Sequence, residues 1–382
     1  MKKLKIAIFT EHPTQWESPF FSYLTKLSDF DLEVFYTNRL GVDESMDKES
    51  KLRIIFDIPD ILDGYKYNFF STKKEFLLRM TRNHYDVLIV EGHSGLVQRL
   101  AILFGIFKRT PMIYRADSTL LYKENVLKKV LRKIFLPVFF KSFAAFLPLS
   151  SATVDFLKFY KVPTRSIFLS PYMINNQWYS ELSFEWRTRE YQIKEQLELD
   201  KNKSIVLAVL RFEERENPLE FLSAAEYLLS EMPSVTFVLV GDGLLKNKVV
   251  QYIKNKNLSN VILPGYVKLS ELTKYFAVAD VFVHPAKEEC WGLSVNEAMA
   301  SGVPVVISDN VGCHRDLIPS EETGFVYSSG VVTELVDNIK TLLLNREKKE
   351  QVVKAARIRL QNFGYESAAK VFEEAIRFSL NR

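Results

Sequence analysis

The stretch His284–Val306, HPAKEECWGLSVNEAMASGVPVV, decides how the chain is read. It follows the apolar run Val281–Val283 and ends in a second β-branched run, Val305–Ile307. Between them the spacing predicts a helix over Val295–Ala300 that begins near Leu293. Strand, loop, helix, strand is the repeating unit of a parallel, doubly wound sheet. The loop before Leu293 then lies at the carboxyl end of a strand, where open α/β sheets bind ligands. Glu289 sits in that loop, and Glu297, after seven intervening residues, sits just inside the helix. Gly292 and the amides of Leu293 and Ser294 form the helix N-terminus, whose unpaired N–H groups and dipole suit a phosphate. The bland alternative is a pair of solvated surface glutamates, which are common.

The same rhythm runs outward in both directions. Strands are expected at Lys5–Phe9, Leu32–Thr37, Val87–Glu91, Met112–Arg115, Phe146–Leu149 and Ser166–Ser170. They recur at Ser204–Leu210, Thr236–Val240 and Val261–Leu263. Helical spacings lie between them, as at Gly95–Phe107, Thr153–Tyr160, Leu219–Leu229 and Leu245–Lys254. The fold class is α/β, with two doubly wound parallel-sheet domains. The first is expected over 1–175 and the second over 203–362. A polar linker without a β-rich run is expected across 176–202, and a last helix over 363–382.

A length of 382 residues suits two domains, and 47% hydrophobic with 26% charged residues excludes disorder and coiled coil. Cys290 and Cys313 are too few for a disulfide scaffold and fit a reducing compartment. The start, MKKLKIAIFTEHP, has an apolar core of only Ile6–Phe9, against the ~7–15 residues a signal peptide needs. No apolar stretch reaches the ~18 residues of a membrane span. The formal net charge of +4 hides an asymmetry: residues 1–180 hold 26 basic and 18 acidic side chains, and the rest is mildly acidic.

Several stretches, in order, resemble the family 4 retaining glycosyltransferases. They are LAVLRFEERENPLEFLSAA (Leu207–Ala225), VTFVLVGDGLLKNKV (Val235–Val249), NVILPGYVKLSELTKYFAVADVFVHPA (Asn260–Ala286), the loop with Glu289 and Glu297, and GFVY (Gly324–Tyr327). The N-terminal match is weaker: AIFTEHPTQWESPFFSYL, PMIYRADST and SPYMINNQWY. The resemblance implies the GT-B fold, two Rossmann-like domains facing a cleft, and transfer of a sugar from a nucleotide diphosphate sugar to a glycan or lipid-linked saccharide acceptor. It implies a donor site in the C-terminal domain and a last helix that packs back on the N-terminal one. It implies no cofactor and no metal, and the second half indeed has no clear Asp-x-Asp cluster.

By the same resemblance, Glu297 would bond the ribose hydroxyls and Glu289 would orient the donor sugar. The amides near Gly292, Leu293 and Ser294 would hold the diphosphate, and the backbone at Tyr266 and Val267 would frame the base. Gly241, in the GDG turn, either lines this site or only makes a tight turn. Arg211, after its strand, suits a leaving diphosphate by its fork of donors. The family usually has Lys five residues later; here Glu216 stands there. Arg215 takes over the role, the loop register slips by one, or turnover is impaired. A binding protein without turnover and a GT-B sugar-nucleotide epimerase are the rival readings.

On the acceptor side the candidates are His12, His93, Arg115 and Asp117, all near strand ends, with plain exposure of the histidines and an Arg115–Asp117 ion pair as the structural alternatives. Residues 108–141 are basic and aromatic, which suits an anionic membrane surface or else an ordinary solvated helix. No nucleic-acid module is visible. The expected location is cytoplasmic, peripheral to the inner face of the membrane.

Overall fold

The computed structural model describes residues 3–27, 29–43, 45–46, 53–54, 61–70, 72–120 and 125–382. The chain divides into two compact units. Unit 1 comprises Met1–Ser45, Ile54–Ile174 and Phe363–Arg382; unit 2 comprises Met46–Arg53 and Asn175–Asn362.

Unit 1 holds β1 (Leu4–Thr10), α1 (Ser18–Leu27), β2 (Phe30–Tyr36), the two-residue strands β3 (Ser45–Met46) and β4 (Arg53–Ile54) at its boundary, β5 (Lys66–Phe69), α2 (Lys73–Arg82), β6 (Val87–Glu91), α3 (Leu96–Lys108), β7 (Met112–Ala116), α4 (Val126–Phe140), β8 (Ala145–Pro148) and α5 (Ser151–Phe159). Its main sheet runs β5-β2-β1-β6-β7-β8, and every neighbouring pair is parallel. Successive residues of β1 face opposite ways, so Ala7 and Phe9 enter one core and Ile6 and Ile8 the other. The first core is closed by Phe76, Ala101, Leu136 and Phe156, from α2, α3, α4 and α5 in turn. The second is closed by Phe20 and Leu24 of α1 and by Phe372 and Ile376. The last two belong to α15 (Tyr365–Leu380), the C-terminal helix, whose Phe372 ring meets Phe20 edge-on at 5.1 Å.

Unit 2 begins with α6 (Asn176–Arg187) and α7 (Glu190–Gln196). It continues with β9 (Ser204–Val209), α8 (Pro218–Glu231), β10 (Val235–Val240), α9 (Lys246–Asn255), β11 (Val261–Gly265), α10 (Leu269–Val278) and β12 (Val281–His284). Then come α11 (Leu293–Ala300), β13 (Val305–Ser308), α12 (His314–Leu317), β14 (Phe325–Tyr327), α13 (Val332–Leu344) and α14 (Arg346–Leu360). Its sheet runs β11-β10-β9-β12-β13-β14, again all parallel. Both sheets thus have the order 3-2-1-4-5-6, and each reverses direction beside its first strand. Ligands of doubly wound sheets bind at the carboxyl ends of the strands at that reversal.

Two expectations fail. Residues 176–202 are not a plain linker. They form two helices of unit 2, because Tyr179 and Ser183, one turn apart, and Ile193 bury a narrow stripe while the polar majority faces water. The run Ser166–Ser170 is not a strand of the sheet: it starts in a short 3-10 turn and makes one isolated bridge, Phe146 to Ile167. β5 and α2 were not expected either: the strand is only four residues long at the sheet edge, and half of the helix is charged.

Candidate active site

In unit 2 the reversal lies between β9 and β12, and the loops after these two strands carry Arg211, Arg215 and Glu289. Main-chain bonds lace the loops together. The Arg215 carbonyl accepts the N–H groups of Lys287 (2.8 Å) and Glu288 (3.2 Å). The Glu289 N–H donates to Asn310 O at 3.2 Å, and the Gly312 N–H donates to Glu289 O at 2.8 Å. Phe212 N–H donates to Asp242 O at 2.9 Å, which ties the Arg211 loop to the turn after β10. That turn needs glycine at 241: φ is +139°, and an added Cβ would stand 1.8 Å from Leu210 O. Gly241 therefore acts as a spacer that lets two loops touch, and its N–H bonds Gly265 O at 2.8 Å, just before exposed Tyr266 and half-buried Val267.

Glu216 is 6% exposed, at the bottom of this cluster. Its Oε2 accepts the Arg211 backbone N–H at 2.6 Å; its Oε1 accepts Arg211 Nε at 2.9 Å and Arg215 Nη2 at 3.1 Å. Arg215 Nη1 then reaches Glu289 Oε2 at 2.9 Å, and its Nε reaches Glu213 at 3.2 Å. A carboxylate at 216 is thus a buried bracket for two guanidinium groups rather than an open repulsive charge. Burial raises the Glu289 carboxyl above its ordinary value.

α11 starts at Leu293, behind Gly292, whose φ of +93° and contact with Val311 exclude a side chain. Trp291 is buried and donates from Nε1 to Asn296 Oδ1 at 2.7 Å, which locks the turn into the helix. Leu293 and Ser294 head the helix. His284, at the end of β12, lies beneath, with Nδ1 3.5 Å from Ser294 Oγ; burial lowers its pKa. Glu297 is buried one turn in. Burial pushes its carboxyl up to about 7, and the Tyr179 hydroxyl donates to it at 2.7 Å. The sequence reading missed Tyr179 because it placed that residue in a linker.

In unit 1 the reversal lies between β1 and β6. A 440 Å³ cavity opens there and is lined by His12, His93, Arg115 and Asp117, together with Glu17 and Glu91. The structure therefore brings all four acceptor-side candidates to one place, within unit 1. His12 Nδ1 contacts Pro13 O at 2.8 Å, and His93 Nδ1 contacts the Tyr114 hydroxyl at 2.9 Å; burial, then nearby Arg132 and Arg99, lower the His93 pKa. Arg115 does not pair with Asp117. It is 1% exposed and pairs with both Glu17 and Glu91, and its guanidinium lies 5.4 Å from the ring centres of Trp16 and Phe372. Asp117 instead accepts the Tyr172 hydroxyl at 3.0 Å. Burial, then Glu91, raise the Glu17 carboxyl far above its ordinary value. Glu17 and Glu91 went unnoticed in the sequence, although each closes or follows a strand at the reversal.

With this geometry in view, the family described as glycosyl transferases group 1 matches residues 190–359, which is most of unit 2. Residues 190–359 resemble the group 1 glycosyltransferases. The sulfoquinovosyl transferase of Arabidopsis thaliana is 33% identical over 156 residues, 40% of this chain and 29% of that protein. An Escherichia coli UDP-Gal:alpha-D-GlcNAc-diphosphoundecaprenol alpha-1,3-galactosyltransferase is 32% identical over 134 residues, 34% of each chain. The match thus spans about a third of these relatives' lengths. Across nearly the whole chain, the crystal structure of Anabaena HepE in complex with UDP and glucose aligns with a TM-score of 0.74 at 16% identity, covering 98% of this chain and 99% of that one. The fold is of the GT-B class.

Proposed function

We propose that the protein is a retaining glycosyltransferase of group 1 that takes a nucleotide diphosphate sugar as donor and a glycan or lipid-linked saccharide as acceptor, in polysaccharide or glycolipid biosynthesis. The observation that carries this reading is the convergence of Arg211, Arg215, Glu289 and the head of α11 at the sheet reversal of unit 2. Arg211 and Arg215 face the diphosphate, and the Leu293 and Ser294 amides add neutral donors to it. Glu289 orients the sugar and Glu297 takes the ribose hydroxyls. The bond from the sugar's anomeric carbon to the diphosphate breaks, and a bond to the acceptor oxygen forms on the same face. The acceptor's proton leaves on a diphosphate oxygen. The protein positions the partners and stabilises the charge of the leaving group, with no metal in these roles. The cavity around His12, His93, Arg115 and Asp117 takes the acceptor.

The relatives named above support the substrate classes: one is a galactosyltransferase named for a UDP-linked donor and a diphosphoundecaprenol acceptor. Peripheral attachment to the inner face of a membrane, from the cytoplasm, fits a lipid-linked acceptor. No helix among the described residues is long and apolar enough to cross a membrane. A thermal-shift screen against a panel of nucleotide sugars tests the reading. A bound donor raises the melting temperature, by about 2.7 kcal/mol of added stability at 100 times its Kd. Turnover is then followed as release of the nucleoside diphosphate with and without acceptor. A donor epimer formed without acceptor supports the epimerase instead, and binding without any turnover supports the non-catalytic reading.

A further inference from the structure

Every nitrogen of the Arg215 guanidinium is engaged by a carboxylate. Nε donates to Glu213 Oε2 at 3.2 Å, Nη2 to Glu216 Oε1 at 3.1 Å and Nη1 to Glu289 Oε2 at 2.9 Å. Glu289 is engaged on both of its oxygens in turn: Oε2 accepts Arg215, and Oε1 accepts the Trp291 N–H at 3.4 Å. The donor roles proposed above call for both groups elsewhere, Arg215 on the diphosphate and Glu289 on the sugar. In this pairing each holds the other away from its role.

The three carboxylates are not equally able to yield. Glu216 is buried and also holds the Arg211 N–H and Nε, so it is fixed. The Arg215 and Glu289 side chains are 31% and 16% exposed, so their pair is the one water reaches. The Arg215 carbonyl accepts the N–H groups of Lys287 and Glu288, which keeps the two loops joined when the side chains part. A turn of the guanidinium about its bond to Glu216 takes Nη1 off Glu289 and leaves Nη2 in place. The diphosphate of a sugar nucleotide carries two negative charges against one on Glu289, and its oxygens suit the arginine fork. Glu289 then loses its cation in a site whose burial already holds its carboxyl above the ordinary value, with His284, Glu216 and Arg211 around it. Sugar hydroxyls that donate to it restore its bonds.

We propose that Arg215 is a latch on Glu289, released by the diphosphate of the donor, so that Glu289 takes the sugar only when the diphosphate is in place. Toward the sugar Arg215 is thus a positioning residue that acts through Glu289. A sugar that arrives without a nucleoside diphosphate meets a Glu289 still paired, which makes the diphosphate part of the specificity for the sugar. The inference rests on the proposed function for its ligand, while the pairing itself is read from unit 2 alone. The alternative is a strut, in which the pair stays closed with the donor bound and only holds the two loops in place.

The test is calorimetric titration of the full chain with UDP, GDP and ADP and with their glucose conjugates, on the wild type, Glu289→Gln, Arg215→Gln and the double variant. Glu289→Gln opens the latch and leaves Arg215 to the phosphates, so the nucleoside diphosphate should bind more tightly than to the wild type. In the Arg215→Gln background the same substitution relieves only repulsion between Glu289 and the diphosphate. The first gain should therefore exceed the second by about three- to ten-fold, the worth of a partly screened ion pair. For the sugar nucleotide the gain from Glu289→Gln should be smaller, because the sugar loses its carboxylate, and turnover should fall. Weaker binding of the nucleoside diphosphate by Glu289→Gln, at equal melting, overturns the inference in favour of the strut. Equal gains in the two backgrounds, or no gain in either, overturn it as well. Arg215→Met, which keeps the stem without the fork, serves as the background if Arg215→Gln does not fold. Binding without the expected ratio removes only this inference, whereas no binding of any probe by any of the proteins removes the proposed activity and the latch with it.

Discussion

Glu216→Lys installs the residue that the family resemblance leads one to expect, and the structure predicts that it damages the protein. Glu216 accepts three charge-assisted bonds: from the Arg211 backbone, Arg211 Nε and Arg215 Nη2. Each such bond contributes about 1.5–3 kcal/mol when well shielded. The arginine side chains are 40% and 31% exposed, so solvent screening halves the sum, to about 2–4 kcal/mol. Lysine also sets a third cation against the two arginines. At about 2–4 °C per kcal/mol for a unit of this size, the melting temperature of unit 2 should fall by roughly 5–15 °C. Arg211 and Arg215 lose their common bracket, so donor turnover should fall at least about ten-fold. Glu216→Gln keeps one acceptor for the Arg211 N–H and should lie between the two. Differential scanning calorimetry and a nucleoside-diphosphate release assay read both effects. A Glu216→Lys protein with wild-type melting and raised turnover would refute the bracket and favour an impaired wild type.

Other perturbations have distinct readouts. Glu297 is held up to about 7 by burial, so from pH 4.5 to about 7 the folded chain keeps a proton that the unfolded chain loses, and stability falls as pH rises through that window. Glu297→Gln should flatten that slope and gain up to about 3 kcal/mol over the wild type above pH 7, seen in denaturation curves at several pH values. Arg115→Met should cost about 3–5 kcal/mol, because Glu17 and Glu91 are left facing each other in the core of unit 1, whereas Glu17→Gln should cost less than about 1.5 kcal/mol; urea unfolding separates them. Gly241→Ala should cost about 2–4 kcal/mol and lower turnover, since its Cβ collides with Leu210 O and pushes the Arg211 loop away. Equal melting of Gly241→Ala and wild type would deny the spacer role.

Much of this architecture was legible because short β-branched runs carry their own signal. Val87–Glu91 and the start of α11 at Leu293 agree residue for residue with the structure. Lys66–Phe69 was not legible, since it is only four residues long and its side chains are only partly covered at the sheet edge. The site was half legible. Glu289, Glu297 and Arg211 stand out through their places after strands, but linear order cannot show that Glu216 faces inward under two arginines. Nor can it show that Tyr179, 118 positions away, caps Glu297. The same limit applies in unit 1: Arg115 and Asp117 look paired by proximity, while the guanidinium turns to Glu17, in the loop before α1, and to Glu91 at the end of β6. Periodicity also cannot tell that on α4 Leu136 and Phe140 are buried while Ile134 and Phe135 are exposed.

In the proposed function Arg211, within the cluster at the reversal of the unit 2 sheet, grips the diphosphate of a sugar nucleotide. Calorimetric titration of the wild type and Arg211→Ala with the nucleotide sugar that gives the largest thermal shift tests it most directly. Saturable binding by the wild type is expected, with a loss of about 10- to 100-fold in affinity for Arg211→Ala, the worth of one charged bond to a phosphate. Equal affinity of the two proteins, at equal folded fraction, would contradict it.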